Sequence, residues 1–174
     1  MQASGGTLLH EIWRSSYTKN QINPTNHQCH HKSLVLTESM KLCHAITYRM
    51  QNTFPEIDHA ATYVQAMHRC SRFHYILIIL DIHFSEMNGV AVVRRLRQLE
   101  QVPIFVLSAR YSRLEAIEAL NAGAGAYLPI EEPLDQELLL AHASALMRRY
   151  LSANTKEADL IQVAELGLKI NLGT

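Results

Sequence analysis

From residue 32 to residue 150 the chain alternates short apolar runs with stretches whose apolar residues recur at helical spacing. Leu34, Val35 and Leu36 form the first run. After it, Leu42, Ala45, Ile46 and Met50 stand three and four residues apart, which predicts a helix burying that stripe. A weaker strand is predicted over Glu56–Ala60, then a short helix from about Thr62 to Arg72. The next run, Tyr75 to Leu80, is apolar at every position instead of alternating, the pattern of a central strand covered on both faces. Beyond the turn dipeptide Asn88-Gly89, a helix carries Val90, Val93 and Leu96, and Pro103 opens a strand from Ile104 to Leu107. Ser112 and Glu115 have capping-box spacing for a helix ending near Gly123. Tyr127-Leu128 is the last short strand, and Asp135 caps a final helix with Leu139, Leu146 and Tyr150.

Five strands alternate with five helices, and right-handed crossovers accommodate that order in one doubly wound parallel sheet. The expected fold is therefore α/β, a flavodoxin-like (βα)5 three-layer sandwich. The flanks read differently. Residues 1–31 hold one amphipathic pattern (Leu8, Leu9, Ile12, Trp13) and then a polar stretch around Asn23-Pro24, expected to be an extension and linker. Residues 153–174 end with Leu166, Leu168, Ile170 and Leu172 alternating with Gly167, Lys169 and Asn171, a strand with one wet face.

Composition narrows the class of protein. Sixteen basic and sixteen acidic side chains balance, so no whole-chain attraction to nucleic acid or an anionic membrane is expected. No apolar run approaches the roughly 20 residues of a membrane span, and residues 1–31 lack the apolar core of a signal peptide. Three widely spaced cysteines, Cys29, Cys43 and Cys70, make no disulfide framework. A cytoplasmic protein with reduced thiols is expected.

Sites in an open parallel sheet gather outside the carboxyl ends of the strands, so the polar residues that end the apolar runs are the ones to inspect. These are Thr37-Glu38, Asp81, Ser108 and the segment after Leu128. Asp81 and Glu38 together suit a hard divalent cation such as Mg2+, bound through oxygen and water. Ser108 adds a hydroxyl and Ala109 a backbone N–H, parts suited to a phosphoryl group. An aspartate at a strand end also serves simply as a turn or helix cap. His27, Cys29, His30 and His31 lie close together, but their spacing fits no closed zinc motif, and a solvated linker is the simpler reading.

The run YILIILDIHFSEMNG (75–89), with VLSAR (106–110) and NAGAGAYLP (121–129), resembles the receiver domain of bacterial two-component response regulators over about residues 32–152. LIQVAELGLKINLG (160–173) is similar to the opening strands of the winged-helix effector domain of OmpR/PhoB-type regulators, which would make the chain truncated within that domain. No recognition helix follows, so direct DNA binding by this chain is not expected. The resemblance implies that Asp81 is the phosphoacceptor, Ser108 the switch hydroxyl and Tyr127 the switch aromatic. It implies Mg2+ held by Glu38, Asp81 and the backbone carbonyl of His83.

The same resemblance exposes four departures. Thr37 stands where a second carboxylate is usual, Ser85 where a proline is usual, and Gly125-Ala126 replaces an acidic dipeptide used in dimer contacts. The family lysine has no counterpart: spacing from Tyr127 puts Ile130 there, and alignment on the following proline puts Glu132 there. Arg110, in the loop after Ser108, is a cation near the site in sequence. The leading expectation is a receiver module, not an enzyme in its own right, taking a phosphoryl group from a histidine kinase to control transcription in a longer protein. A homodimer through the last two helices and strand is expected, with no membrane contact. The alternative is a pseudo-receiver acting as a phosphorylation-independent interaction module.

Overall fold

The computed structural model describes residues 32–54, 56–83, 85, 87–99, 101–150 and 152–153. The amino-terminal pattern Leu8–Trp13, the cluster from His27 to His31 and the wet-faced strands at 160–173 lie outside the described residues. The chain divides into two compact units, Gln28–Met147 and Met1–His27 with Arg148–Thr174. In the second unit, 148–150 and 152–153 are helical. The first unit runs β1 (Lys32–Leu36), α1 (Met40–Met50), β2 (Glu56–Ala60), α2 (Tyr63–Cys70), β3 (Tyr75–Asp81), α3 (Gly89–Leu99), β4 (Ile104–Ser108), α4 (Arg113–Asn121) and β5 (Ala126–Pro129). A final helix, α5, occupies 136–150.

The five strands form one parallel sheet in the order β2-β1-β3-β4-β5. The chain therefore moves one way from β1 to β2 and the other way from β3 onward. Right-handed crossovers then put α1 and α5 on one face and α2, α3 and α4 on the other. Hydrogen bonds fit that split. Arg49 of α1 donates through Nε to the carbonyl of Leu134 just before α5, at 2.8 Å. On the other face Arg97 of α3 donates through Nε and Nη2 to the carbonyl of Gly123 after α4, at 3.1 and 2.9 Å. Gly123 has φ +111°, a left-handed conformation open to glycine, and a Cβ there would strike the Arg97 side chain.

β3 is buried from Tyr75 to Leu80, with Leu77, Ile78, Ile79 and Leu80 wholly inaccessible. Each such side chain contributes about 1.5–3 kcal/mol relative to exposure. The weak strand at Glu56–Ala60 is present with the expected bounds and lies at the sheet edge. Helix starts follow the capping residues: Ser39, Thr62 and Ser112 accept from the backbone N–H groups of Leu42, Gln65 and Glu115. Asn88 Oδ1 accepts from Val90 N at 2.8 Å, and Asp135 Oδ1 from Leu138 N at 3.0 Å.

Two local expectations are corrected. The buried stripe of α1 is Cys43, Ile46 and Met50, while Leu42 and Ala45 are only half-buried. The cysteine supplies the first contact of that face, one residue round the helix from Leu42, and burial pushes its thiol pKa up. The capping box of α4 forms only its first arm: Ser112 Oγ accepts from Glu115 N at 3.3 Å, but the Glu115 carboxylate goes elsewhere.

At the opposite end of the sheet from the candidate site, the buried Tyr75 donates its hydroxyl to Asp58 Oδ2 at 2.8 Å. Lys32 Nζ and Arg69 Nη1 lie 3.6 and 3.8 Å from the same oxygen.

Two outcomes are expected from this packing. A Cβ at Gly89 would run into the Ile82 carbonyl oxygen and side chain, so Gly89→Ala should lower stability by about 1–3 kcal/mol in urea denaturation. Burial, reinforced by Asp58, holds the Tyr75 phenol well above the ordinary tyrosine range. The folded chain then keeps a proton that the unfolded chain releases as pH rises past about 10, so stability falls with rising pH there. Tyr75→Phe should cost about 1 kcal/mol at pH 7 and flatten that alkaline decline, measured as the unfolding midpoint against pH.

Candidate functional site

The carboxyl ends of β1, β3 and β4 bring Thr37, Asp81 and Ser108 to one edge of the sheet, Asp81 lying opposite Leu107 in the β3/β4 register. Thr37 is fully buried. Its N–H donates to the Ala60 carbonyl at 3.1 Å, and its own carbonyl accepts from His59 Nε2 at 2.8 Å. The Thr37 hydroxyl accepts from Ser39 N at 3.1 Å and donates to Asp81 Oδ2 at 2.9 Å. Asp81 Oδ1 accepts from the backbone N–H of His83 at 3.1 Å. Both oxygens of the half-buried Asp81 are thus oriented, one by the end of β1 and the other by its own loop.

Glu38 is exposed, and its Oε1 accepts from both N–H and hydroxyl of Ser85, at 3.0 and 2.6 Å. The serine in place of a proline explains this contact, because proline has no N–H to give. Glu38 therefore ties the loop after β3 to the end of β1.

Ser108 is fully buried, and four groups crowd its hydroxyl. Oγ lies 2.6 Å from the Arg110 carbonyl, 3.3 Å from Arg110 N, 3.2 Å from Glu115 Oε2 and 3.1 Å from His83 Nε2. A serine hydroxyl has one hydrogen, and the shortest contact, to a carbonyl that can only accept, takes it. His83 must then donate, which assigns its ring the Nε2–H tautomer. Glu115 Oε2 also accepts from the Tyr127 hydroxyl at 2.8 Å, with the Arg110 carbonyl 3.5 Å from the same hydroxyl. Burial is the larger cause of an upward shift in the Tyr127 phenol, and the Glu115 carboxylate adds to it.

Contacts therefore run unbroken from Thr37 through Asp81, His83, Ser108 and Glu115 to Tyr127. Of the residues singled out in the sequence, Asp81, Ser108 and Tyr127 belong to this chain, and Glu38 stands beside it, bonded to Ser85. Arg110 contributes its backbone. Two side chains that the sequence does not single out for the site also join it: His83, expected there only through its carbonyl, and Glu115, expected only as a capping residue.

The end of β5 decides where the two residues considered for the family lysine lie. Pro129 pairs with Ser108, and Ile130 N donates to the Ser108 carbonyl at 2.7 Å, so Ile130 is the residue beside Ser108. Glu132 lies two residues on and accepts from Lys41 Nζ of α1 at 3.0 and 3.2 Å, in an exposed ion pair.

Among the described residues no group of three or more His, Cys, Asp or Glu could hold a metal. The oxygen donors at this edge are hard: the Asp81 carboxylate with the Thr37 hydroxyl on it, and the Glu38 carboxylate at the end of β1. That set fits Mg2+ with water completing the shell, with one carboxylate fewer than the family pattern. No helix among the described residues is long and apolar enough to cross a membrane.

Comparison with known proteins agrees with this arrangement. Residues 37–144 match the response regulator receiver domain. The two-component response regulator PhoP of Pseudomonas aeruginosa is 32% identical over 119 residues, 68% of this chain and 52% of PhoP. The response regulator ArlR of Staphylococcus aureus is 30% identical over 99 residues, 57% of this chain and 44% of ArlR. The chain thus spans about half the length of the curated relatives it matches. A two-component response regulator from Clostridium difficile superposes with a TM-score of 0.64 at 26% identity, covering 69% of this chain and 98% of that one. The receiver domain of a Luxo-type repressor from Vibrio parahaemolyticus shares the fold, with a TM-score of 0.64 at 22% identity over 75% of this chain and 96% of its own. A doubly wound sheet with Asp81 at the mouth of its central strand, matched over residues 37–144, makes this chain a member of the response regulator receiver domain family.

Proposed function

We propose that the chain is a phosphoryl-accepting signalling module in which Asp81 takes a phosphoryl group from a histidine kinase and Ser108 and Tyr127 report it. The observation that carries this reading is Asp81 itself. It ends a wholly buried strand, both oxygens are oriented, and a continuous set of contacts leads from it to Ser108, Glu115 and Tyr127. An Asp81 oxygen attacks phosphorus, forming an O–P bond as the P–N bond of the donor phosphohistidine breaks. The electron pair leaves with the donor imidazole, which is reprotonated. Mg2+ supplies positive charge to the phosphoryl oxygens when bound at Asp81, Glu38 and the His83 carbonyl. Asp81 is oriented for attack by Thr37, and Ser108 meets the phosphoryl group only by giving up the Arg110 carbonyl.

The Arg110 carbonyl so released also lies 3.5 Å from the Tyr127 hydroxyl, and through it the exchange reaches Tyr127. The output surface is then α4, β5 and α5. Leu114, Ile117 and Leu120 stand exposed at three-residue spacing along α4, and Leu138 is exposed on α5, an apolar face suited to a homodimer. PhoP and ArlR are response regulators, and by that likeness a parent protein would control transcription from the cytoplasm. The receiver likeness supports this reading over an interaction module that ignores phosphorylation.

Mg2+ with beryllofluoride, a phosphoryl mimic, should raise the melting temperature of the protein, and Asp81→Ala should abolish the rise. Absence of any Asp81-dependent rise would remove the phosphoacceptor reading. The double change Thr37→Asp with Ile130→Lys restores a carboxylate and a cation, and should tighten beryllofluoride binding by about tenfold or more in the same assay.

A further inference from the structure

A phosphoryl group on Asp81 needs a fixed hydrogen-bond donor besides the Ser108 hydroxyl, and Ile130, just past β5, has no side-chain donor to give and spends its N–H on the Ser108 carbonyl. Glu132 is an anion committed to Lys41, and Arg110 meets Ser108 through its backbone. His83 is placed otherwise. Its backbone N–H holds Asp81 Oδ1, and its ring spans from the β3 exit to the end of β4, where Nε2 lies 3.1 Å from Ser108 Oγ. Among the described residues, it is the side chain with an N–H donor bonded to Ser108, and Asp81 has no such side-chain donor.

We propose that the His83 side chain is a phosphoryl-anchoring residue of this site, its Nε2–H doing the work of the absent lysine. The inference rests on the reading of Asp81 as phosphoacceptor. Any oxygen that accepts the Ser108 hydroxyl must come within one hydrogen bond of Oγ, and Nε2 already stands one hydrogen bond from that atom. His83 is exposed, and an oxygen arriving next to Oγ is within reach of the same ring. In the unloaded state the same N–H occupies a lone pair of Ser108, while the hydroxyl hydrogen points away to the Arg110 carbonyl. Loading therefore moves two donors together, the imidazole N–H and the serine O–H, onto one anion. The role needs only the Nε2 hydrogen, which the neutral ring carries in the tautomer assigned above.

The test is the apparent affinity for beryllofluoride with Mg2+, read by thermal shift, in the parent, Asp81→Ala, His83→Ala, His83→Met and His83→Gln. Removing the donor with alanine, or with methionine of similar length, should weaken binding about tenfold or more, the scale of one hydrogen bond to a charged group. Glutamine places an amide N–H at similar reach and should recover most of the loss, which a purely structural role would not give. Ring 15N shifts of the unloaded parent should show the Nε2–H tautomer. Parent-like binding in both His83→Ala and His83→Met, or an Nδ1–H ring, overturns the anchoring role and leaves Asp81 as phosphoacceptor. No Asp81-dependent response in the parent overturns both.

Discussion

Everything at the site depends on six consecutive buried side chains, Tyr75 to Leu80. A strand with no polar position on either face must be covered twice, so helices lie on both sides of the sheet. Its first polar residue after that run, Asp81, is then forced to the edge where the covering layers part. The neighbouring strands repeat the device more weakly, since β1 gives way to Thr37 and β4 ends at Ser108. The functional edge is thus where three apolar runs stop together, and its chemistry is set by what each run stops on.

A second constraint is the hydrogen count at Ser108. A buried hydroxyl with one hydrogen faces a carbonyl, a carboxylate, an amide N–H and an imidazole, and the shortest contact, 2.6 Å to the Arg110 carbonyl, takes that hydrogen. Contacts at this hydroxyl join the loop after Asp81 to the start of α4, and through Glu115 to Tyr127. They also give Glu115 a part that its position in a helix cap concealed.

The fold was legible because the strong signals are local: the β3 run, the caps Ser112 and Asp135, and the turn before Gly89. The α1 stripe was misplaced by one residue, because a small, sulfur-bearing Cys43 packs inward where the leucine next to it invites the choice. Asp81, Ser108 and Tyr127 could be found from the ends of apolar runs and the receiver resemblance. The side-chain roles of His83 and Glu115 could not, since each depends on contacts across strands or between a helix and a strand. Their distance along the chain, 25 residues from His83 to Ser108 and 12 from Glu115 to Tyr127, leaves no periodic mark.

The Thr37–Asp81 hydrogen bond has a consequence for the resting protein. Carboxylates crowded at one edge repel one another, and such a cluster draws on a bound cation to stay folded and ionised together. Here one member of the cluster is a hydroxyl that donates to its neighbour, so the edge is internally satisfied before any cation arrives. Thr37 thus adds no charge beside Asp81, and the resting edge carries that much less repulsion.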